Sequence, residues 1–345
     1  MPKANNIGTS KLIILLSLIL LLTLLLNISF GSISIPIKDI VKSLIGRNAS
    51  KETWEYIIIN YRLPKAITAI LVGIGLSISG LLMQTLFRNP LAGPYVLGLS
   101  SGSSLGVALV ILGANMLPDF LSSILLSSYG TILASCLGSF LVLLMVLLVS
   151  KKLRDTNSIL IVGLMFGSFA SAIVGVLTYF SSAEQLQKYT FWSMGNIGNL
   201  SWNSITILTI SVLIGLILSV FSIKSLNAML LGENYAKSLG INFKKSRLII
   251  IFATSILTGS ITAFAGPIAF IGLAVPHVAK IVFQTSNHFV LFWSTILFGA
   301  ITMLVCDIFS HISGTEITLP INAITSILGA PIVIYLLLNK QKIFM

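Results

Sequence analysis

The side chains that could carry chemistry are few and scattered along this chain of 345 residues. His277, His288 and His311 are far apart, and no H-E-x-x-H motif sets two of them around a zinc ion. There is no G-x-x-x-x-G-K-[ST] loop, so we do not expect ATP hydrolysis by that route. Cys136 and Cys306 each lie inside an apolar run, which predicts neither a disulfide framework nor a thiolate metal site. We therefore expect no catalytic residue, no cofactor and no metal ligand.

The composition indicates where such a chain resides. Hydrophobic residues make up 56% and charged residues only 9%, whereas a soluble domain has about 25% charged residues. A water-facing surface cannot be built from this composition, which excludes a soluble enzyme, a nucleic-acid-binding domain and a disordered chain. The excess of 21 Lys and Arg over 9 Asp and Glu fits the bias of basic residues toward cytoplasmic loops. The sequence predicts an all-α polytopic membrane protein.

Apolar runs define the elements that must position any functional group. A helix needs about 20 mainly apolar residues to cross a bilayer. The first run is longer than the apolar core of a secretory signal and lacks a small-x-small cleavage site, so we expect it to be retained as a span. The third and eighth are the weakest, because Gly and Pro interrupt them. We predict about ten transmembrane helices, within 12–30, 63–87, 91–113, 120–149, 158–180, 203–223, 247–265, 270–284, 289–309 and 321–338.

Loop charges set the direction of these spans. With both termini cytoplasmic, 14 of the Lys and Arg residues fall inside and 7 outside, which together make the 21 of the chain. Six of the seven outer charges lie in one loop, between the first and second spans, and that loop needs its own explanation. The polar stretches 31–62, 181–202 and 224–247 are too short for independent cores. We therefore expect residues 1–345 to form a single transmembrane domain.

One internal similarity bears on the architecture. AGPYVLGL begins at Ala92, after the second span, and AGPIAFIGL begins at Ala265, after the seventh. With ten spans the two stretches would lie on opposite faces of the membrane. An inverted-topology repeat that relates spans 2–5 to spans 7–10 would produce this arrangement, as in many transporters. Coincidence is the alternative for so short a match.

Four longer segments resemble a known family. The chain is similar to the FecCD-type permeases, the membrane subunits of binding-protein-dependent ABC importers for iron-siderophores, haem and cobalamin. The resemblance runs with gaps from about residue 12 to the C-terminus. It is carried by YRLPKAITAILVGIGLSISGLLMQTLFRNPLAGPYVLGLSSGSSLG (Tyr61 to Gly106), GENYAKSLGI (Gly232 to Ile241), AGPIAFIGLAVPHVAK (Ala265 to Lys280) and LPINAITSILGAPIVIYLLL (Leu319 to Leu338).

The resemblance implies a coupling helix in the cytoplasmic loop 224–247, docked into a groove on the ATPase. The residues themselves fit a short helix, because Glu233 suits its first turn and Gly240 suits a left-handed end. Ala236 and Leu239 are three apart and would present a small apolar face. An interfacial amphipathic turn is the alternative. The expected coupling residues are Gly232, Glu233, Ala236, Leu239 and Gly240.

The basic outer loop contains a second candidate site. Arg62 and Lys65 flank Pro64, which suits the first turn of a helix. Anchoring to lipid headgroups is one explanation for these cations. The resemblance implies instead that they meet acidic residues of the binding protein, with a third basic position four residues after Asp307. His311 occupies that position, where the family has Arg, so this contact is expected to be weaker or pH-dependent.

The resemblance also implies partners and a gate. Thr156 and Asn157 match the family's cytoplasmic gate. The expected partners are two cytoplasmic ATP-binding subunits, a second permease that is identical or paralogous, an extracytoplasmic substrate-binding protein and the lipid bilayer, with no nucleic acid. Iron-siderophore is the expected cargo, with haem or cobalamin as alternatives, in a prokaryotic cell membrane. The rival is an ion-coupled transporter, which usually has buried acids at mid-membrane, whereas only Asp307 falls within a predicted span here, near its end.

Overall fold

The computed structural model describes residues 6–31, 33, 35–114, 118, 120, 124–152, 156–198, 200–238, 240–311 and 318–338. These residues are mainly helical, with an isolated antiparallel bridge between His311 and Thr318 as their only β pairing. A π-helical turn, Ile58–Arg62, leads into α4, and a 3-10 turn, Pro94–Leu97, precedes α5. The helices are α1 (Asn6–Ser29), α2 (Ile37–Leu44), α3 (Glu52–Ile57), α4 (Leu63–Leu86), α5 (Leu99–Ile111), α6 (Ser128–Lys152), α7 (Thr156–Phe180), α8 (Ala183–Ser193), α9 (Trp202–Leu230), α10 (Glu233–Ser238), α11 (Phe243–Ala265), α12 (Ile271–Phe283), α13 (His288–Ser310) and α14 (Ile321–Leu338).

Each of the ten predicted apolar runs overlaps one of these helices, and the all-α polytopic architecture is confirmed. Seven helical stretches are long and apolar enough to cross a membrane by themselves, within α1, α3–α4, α6, α7, α9, α11 and α13. The apolar helices α5, α12 and α14 are shorter. Because a full crossing takes about 20 residues, the count of ten spans stays a prediction.

The chain divides into two compact units that interleave along the sequence. The first comprises Met1–Ile78, Asn196–Ile210 and Ala269–Met345, and in it α13 packs against α1, α12 and α14. Gly73 of α4 and Gly299 of α13 approach so closely that a Cβ on either would overlap the other's carbonyl oxygen. Small residues therefore allow backbone-to-backbone packing at this crossing.

The second unit comprises Ser79–Gly195 and Ser211–Ile268. Here α5 packs against α6 and α7, and α6 packs against α11. The same device recurs, because a Cβ on Gly102 of α5 or on Gly138 of α6 would overlap the other residue's carbonyl. The small residues of α5 thus serve helix packing. The expectation of a single domain over 1–345 stays a prediction.

The two similar stretches in the sequence both break a helix. Gly98, with φ of 71°, is the N-cap of α5, and Phe270, with φ of 68°, is the N-cap of α12. The Ile268 N–H donates a hydrogen bond of 3.1 Å to the Tyr95 hydroxyl, so the first stretch satisfies a freed backbone group of the second. Non-helical backbone within a membrane requires such partners. The inverted repeat itself stays a prediction.

Candidate coupling segment and outer polar cluster

The coupling segment, residues 232–240 between α9 and α11, is a short helix between two left-handed glycines. Gly232 has φ of 115° and Gly240 has φ of 79°, a region where a Cβ is disfavoured. The Ala236 N–H donates to the Gly232 carbonyl at 2.9 Å, which closes the single turn of α10. The loop geometry therefore follows from residues that the sequence supplies locally.

Gly240 ends α10 as the sequence predicts. The Ile241 N–H donates to the Ala236 carbonyl at 3.1 Å across the left-handed glycine. This is the long hydrogen bond of a Schellman motif, which satisfies an otherwise orphaned carbonyl at a helix C-terminus. The turn thereby fixes where the chain enters α11.

Ala236 faces inward rather than outward. Its side chain is fully buried within the chain, whereas the neighbouring Tyr235 is 53% exposed. The surface that the described side chains offer in this segment is therefore Tyr235 and Ser238, both exposed, and not the face that Ala236 was expected to present. The side chain of Glu233 and all of Leu239 lie outside the described residues.

Arg88 belongs to this region, although sequence reasoning gave it no role beyond a cytoplasmic charge. Its Nη2 donates to the Met229 carbonyl at 2.7 Å, near the C-terminus of α9. The Gly232 N–H donates to the same oxygen at 3.2 Å. A basic residue directly after the last apolar turn of α4 was the signal available in the sequence, but its partner lies 141 positions away.

The outer polar cluster, which we define as Asn27, Arg62, Lys65, Asp307 and His311, joins α1, α4 and α13. Lys65 Nζ lies 2.8 Å from Asp307 Oδ1, and the Lys65 side chain is 18% exposed against 2% for Asp307. The ammonium also lies 2.7 Å from Nε2 of His311. Asn27 Nδ2 donates to Asp307 Oδ2 at 2.9 Å. The buried carboxylate thus has partners on both oxygens, as a buried charge requires.

Arg62 is likewise engaged within its own chain. Nη1 donates to the carbonyls of Ile28 at 2.6 Å and Ser29 at 2.8 Å, and Nη2 donates to the carbonyl of Ile33. These acceptors include the last carbonyls of α1, which have no partner inside the helix. The structure brings Arg62, Lys65 and His311 together, as the resemblance implies. Their docking role stays a prediction.

His311 is held as a neutral imidazole. Burial is the main cause that lowers its pKa, and the Lys65 and Arg62 cations lower it further, while Asp307 acts in the opposite direction. Because the ammonium of Lys65 has only protons to donate, His311 accepts at Nε2 and carries its proton on Nδ1. At neutral pH this position therefore adds no third positive charge.

Two further expectations concern other parts of the chain. Helix α7 begins at Thr156, but the side chains of Thr156 and Asn157 lie outside the described residues, and the gate stays a prediction. No group of three or more His, Cys, Asp or Glu residues is suited to hold a metal ion within the part of the chain that the structure describes.

Seven helical stretches long and apolar enough to cross a bilayer define the class as a polytopic membrane protein. The chain belongs to the FecCD transport family, whose model matches residues 19–339. It is 32% identical to the hemin transport system permease protein HmuU of Yersinia pestis, over 93% of this chain and 95% of that one. It is also 32% identical to the vitamin B12 import system permease protein BtuC of Klebsiella pneumoniae, over 94% and 93% of the two chains.

A solved structure shares the fold over nearly its whole length. It is described as an ABC transporter of the metal-chelate type in an inward-facing conformation, with a TM-score of 0.83 and 28% identity over 96% of this chain and 99% of that one. This protein is therefore a multi-pass permease of an ABC importer in the prokaryotic inner membrane. Membership of the family implies ATPase and binding-protein partners.

Proposed function

We propose that this permease carries an iron-siderophore complex delivered by an extracytoplasmic binding protein. Two copies of a separate cytoplasmic ATPase supply the energy, and two permease subunits, identical or paralogous, form the path. The chain makes and breaks no bond in its cargo. The observation that carries the proposal is the coupling segment, a short helix fixed between Gly232 and Gly240 in a chain of this family.

The cargo proposal rests on what the relatives share. The names of the relatives specify hemin and vitamin B12. The description of the solved structure specifies a transporter of the metal-chelate type. All of these are metal complexes of a large organic ligand. An iron-siderophore complex fits the same description, and haem or cobalamin are the alternatives that the experiment below distinguishes.

The state of Asp307 argues against the ion-coupled rival. A proton-coupled transporter needs an intramembrane acid that exchanges its proton during the cycle. Asp307 is 2% exposed and paired with Lys65 at 2.8 Å, and Asn27 occupies its second oxygen. Both oxygens of Asp307 are thus held by partners within its own chain, as in a structural ion pair.

The test is uptake into proteoliposomes that contain the permease, its ATPase and its binding protein. Radiolabelled ferric siderophore, haemin and cobalamin are supplied in turn, with ATP on the ATPase side and a protonophore present. We expect ATP-dependent uptake of the ferric siderophore that the protonophore does not reduce. Uptake of haemin or cobalamin alone would reassign the cargo. Uptake that needs an ion gradient but no ATP would overturn the importer mechanism.

We further propose that the binding protein docks over Arg62, Lys65 and His311. Reversing the charge of Lys65 would place a second carboxylate beside Asp307 and could disturb folding. A loss of binding in such a permease variant would therefore not distinguish a docking defect from a folding defect. The acidic residues of the binding protein are therefore neutralised instead, one at a time. Exposed charges act mainly on association rate and salt dependence. We expect a slower association and a flatter salt series, and unchanged association at low salt would contradict docking at this face.

For the gate, we propose that Thr156 and Asn157 from the two permeases lie close together when the path is closed to the cytoplasm. The test is cross-linking of Thr156→Cys in the assembled complex with and without ATP. A nucleotide-dependent cross-link is expected. Equal cross-linking in both states would place the gate elsewhere.

A further inference from the structure

Helix α4 ends in a Schellman motif that contains an unusual residue. Arg88 adopts φ of 47°, and the Asn89 N–H donates to the Gln84 carbonyl at 3.1 Å. This motif usually has glycine in the left-handed position, because a Cβ there is sterically disfavoured. A strained non-glycine residue that persists in a structure points to a role for its side chain.

The coupling segment supplies the contrast within the same unit. Its own Schellman motif has Gly240 in the left-handed position, with φ of 79°. At this turn the chain has glycine, which adopts the left-handed conformation without a steric cost. At position 88 it has arginine despite the backbone cost.

The Arg88 side chain reaches the end of another helix. Its Nη2 donates to the Met229 carbonyl at 2.7 Å, and a cation at a helix C-terminus also interacts favourably with the helix dipole. The same oxygen accepts from the Gly232 N–H at 3.2 Å, the residue that opens the coupling segment. One carbonyl thus joins α4, α9 and the coupling segment.

We infer that Arg88 is a positioning residue that ties the C-terminal end of α4 to the coupling segment. When the ATPase displaces α10, the tie passes the displacement to α4 and to the Asn89–Pro90 break that follows it. This inference rests on the proposed function, since it assumes that the ATPase acts on residues 232–240.

The test is Arg88→Gly, which relieves the backbone strain and removes only the side-chain tie. Its matched control is Gln284→Gly, because Gln284 also adopts a left-handed conformation after a helix, with φ of 45°, and is exposed. In the reconstituted importer we expect Arg88→Gly to raise the ATP hydrolysed per cargo molecule at least tenfold. Gln284→Gly should match wild type, and Arg88→Lys should lie between them.

A second measurement separates this inference from the proposed function. Hydrogen exchange of residues 232–240 should become at least tenfold faster in Arg88→Gly and stay unchanged in Gln284→Gly, whatever the cargo. Unchanged exchange, or wild-type coupling in Arg88→Gly, would overturn the tie. The wild-type complex could show no ATP-dependent uptake while hydrogen exchange of residues 232–240 is still faster in Arg88→Gly than in wild type. In that case the proposed function fails and the structural tie stands.

A different observation concerns α2, which begins eight positions after the end of α1. One face is buried against the protein through Asp39, Ile40 and Ser43. Asp39 accepts hydrogen bonds from the Ser50 hydroxyl at 2.6 Å and from the Ser50 N–H at 3.0 Å. These contacts fix the rotation of the helix about its axis.

That rotation exposes an apolar stripe. Ile37, Val41 and Leu44 are 47%, 37% and 42% exposed, and the adjoining Ile45 is 69% exposed. The spacing of four and three residues places them on one side of the helix. Beside this stripe, away from the buried face, lie the exposed side chains of Lys38 and Lys42. The Lys42 ammonium is 3.7 Å from Asp39 Oδ1, and the Lys42 side chain is still 49% exposed.

We propose that α2 lies in the membrane interface on anionic phospholipid. The apolar stripe enters the boundary of the acyl chains, and Lys38 and Lys42 contact the negative headgroups, as in interfacial amphipathic helices. The short connection to α1 keeps α2 at the membrane surface. This assigns the basic outer loop two roles, since Arg62 and Lys65 are engaged within the protein.

The test uses a nitroxide at Val41→Cys, with Asn48→Cys as the exposed control, in a background where Cys136 and Cys306 are replaced by Ala. In nanodiscs of phosphatidylglycerol we expect the label at Val41 to be accessible to oxygen and shielded from a water-soluble nickel complex. The label at Asn48 should show the reverse. Equal nickel access at both positions would overturn the proposal, and dipolar coupling between labels at Val41 would indicate a contact between copies instead.

The charges are tested by Lys38→Gln with Lys42→Gln. We expect phosphatidylglycerol to raise the melting temperature of wild type relative to phosphatidylcholine, and the double variant to lose at least half of that rise. Lys188→Gln, which removes an exposed cation paired with Glu184, should keep it. A double variant that responds to lipid charge as wild type does would exclude the headgroup contact.

Discussion

The outer polar cluster and the coupling segment are both predicted to meet a partner protein, yet they treat their polar groups in opposite ways. In the outer cluster the charges are directed inward, with Lys65 on Asp307 at 2.8 Å and Arg62 on the carbonyls at the end of α1. In the coupling segment the backbone turns on two left-handed glycines, and Tyr235 is left exposed.

The difference shows two ways of preparing a surface for a partner. A buried ion pair fixes three helices relative to one another but leaves little charge for the partner. The short helix between the two glycines presents exposed side chains to a partner. Its buried face, at Ala236, holds it against the rest of the chain. We expect changes to the coupling segment to affect transport first and changes to the outer cluster to affect stability first.

The largest effect is expected from Ala236→Asp. The position is fully buried, and an unpaired carboxylate there costs several kcal/mol, so α10 should lose its place. We expect loss of transport and of ATPase co-purification, with membrane insertion retained. Ser238→Asp on the exposed side of the same helix is the control and should keep the helix ordered. A well-expressed Ala236→Asp variant with normal uptake would remove the coupling assignment.

Asp307→Ala should be the strongest test of the outer cluster. It leaves the Lys65 ammonium, 18% exposed, without its counterion, which costs about 3 kcal/mol. Thermal unfolding in detergent measures this loss. Combining Asp307→Leu with Lys65→Met should recover most of it, because no buried charge then remains unpaired.

The matched control for that prediction is an exposed pair of the same length. Lys188 and Glu184 also lie 2.8 Å apart, but their side chains are 57% and 74% exposed. Glu184→Ala is therefore expected to change the melting temperature by less than the error of the measurement. Equal losses in the two variants would show that burial does not distinguish the outer cluster.

A smaller effect is expected from pH through His311. Burial and the nearby Lys65 and Arg62 lower its pKa in the folded state, so the unfolded chain binds a proton more readily. Stability should therefore be unaffected by this group well above its ordinary pKa of about 6.5 and should fall as the pH drops below it. His311→Gln should flatten the melting temperature between pH 7 and pH 5. An unchanged slope would mean that His311 is not the titrating group.

The smallest effect is expected from Gly240→Ala. A Cβ at φ of 79° is disfavoured by about 1 kcal/mol, although no described residue other than its chain neighbours lies within 4 Å of that Cβ. Gly46→Ala is the matched control, because Gly46 has φ of 75° and equally open surroundings. Both should lower stability alike, but only Gly240→Ala should weaken ATPase binding. Equal ATPase affinity in the two variants would show that the turn at Gly240 has no role in coupling.

The sequence by itself determined the elements of this protein. Apolar length predicted where the long helices run, because a membrane helix satisfies its own backbone and must present apolar side chains to lipid. Gly240 predicted the end of α10, because a left-handed turn is a local property of the chain. Gly and Pro in the third and eighth apolar runs predicted weak spans for the same local reason, and α5 and α12 are indeed short.

Only the tertiary structure decided which side chains meet. Asn27 and Asp307 are separated by 280 positions and Lys65 and His311 by 246, and no local pattern distinguishes such a pairing from a basic surface that faces a partner. The inward orientation of Ala236 and the reach of Arg88 to Met229 depend in the same way on how helices pack. Burial in an apolar interior makes an unpaired polar group costly, so partners are selected by the packed fold and not by their distance along the chain.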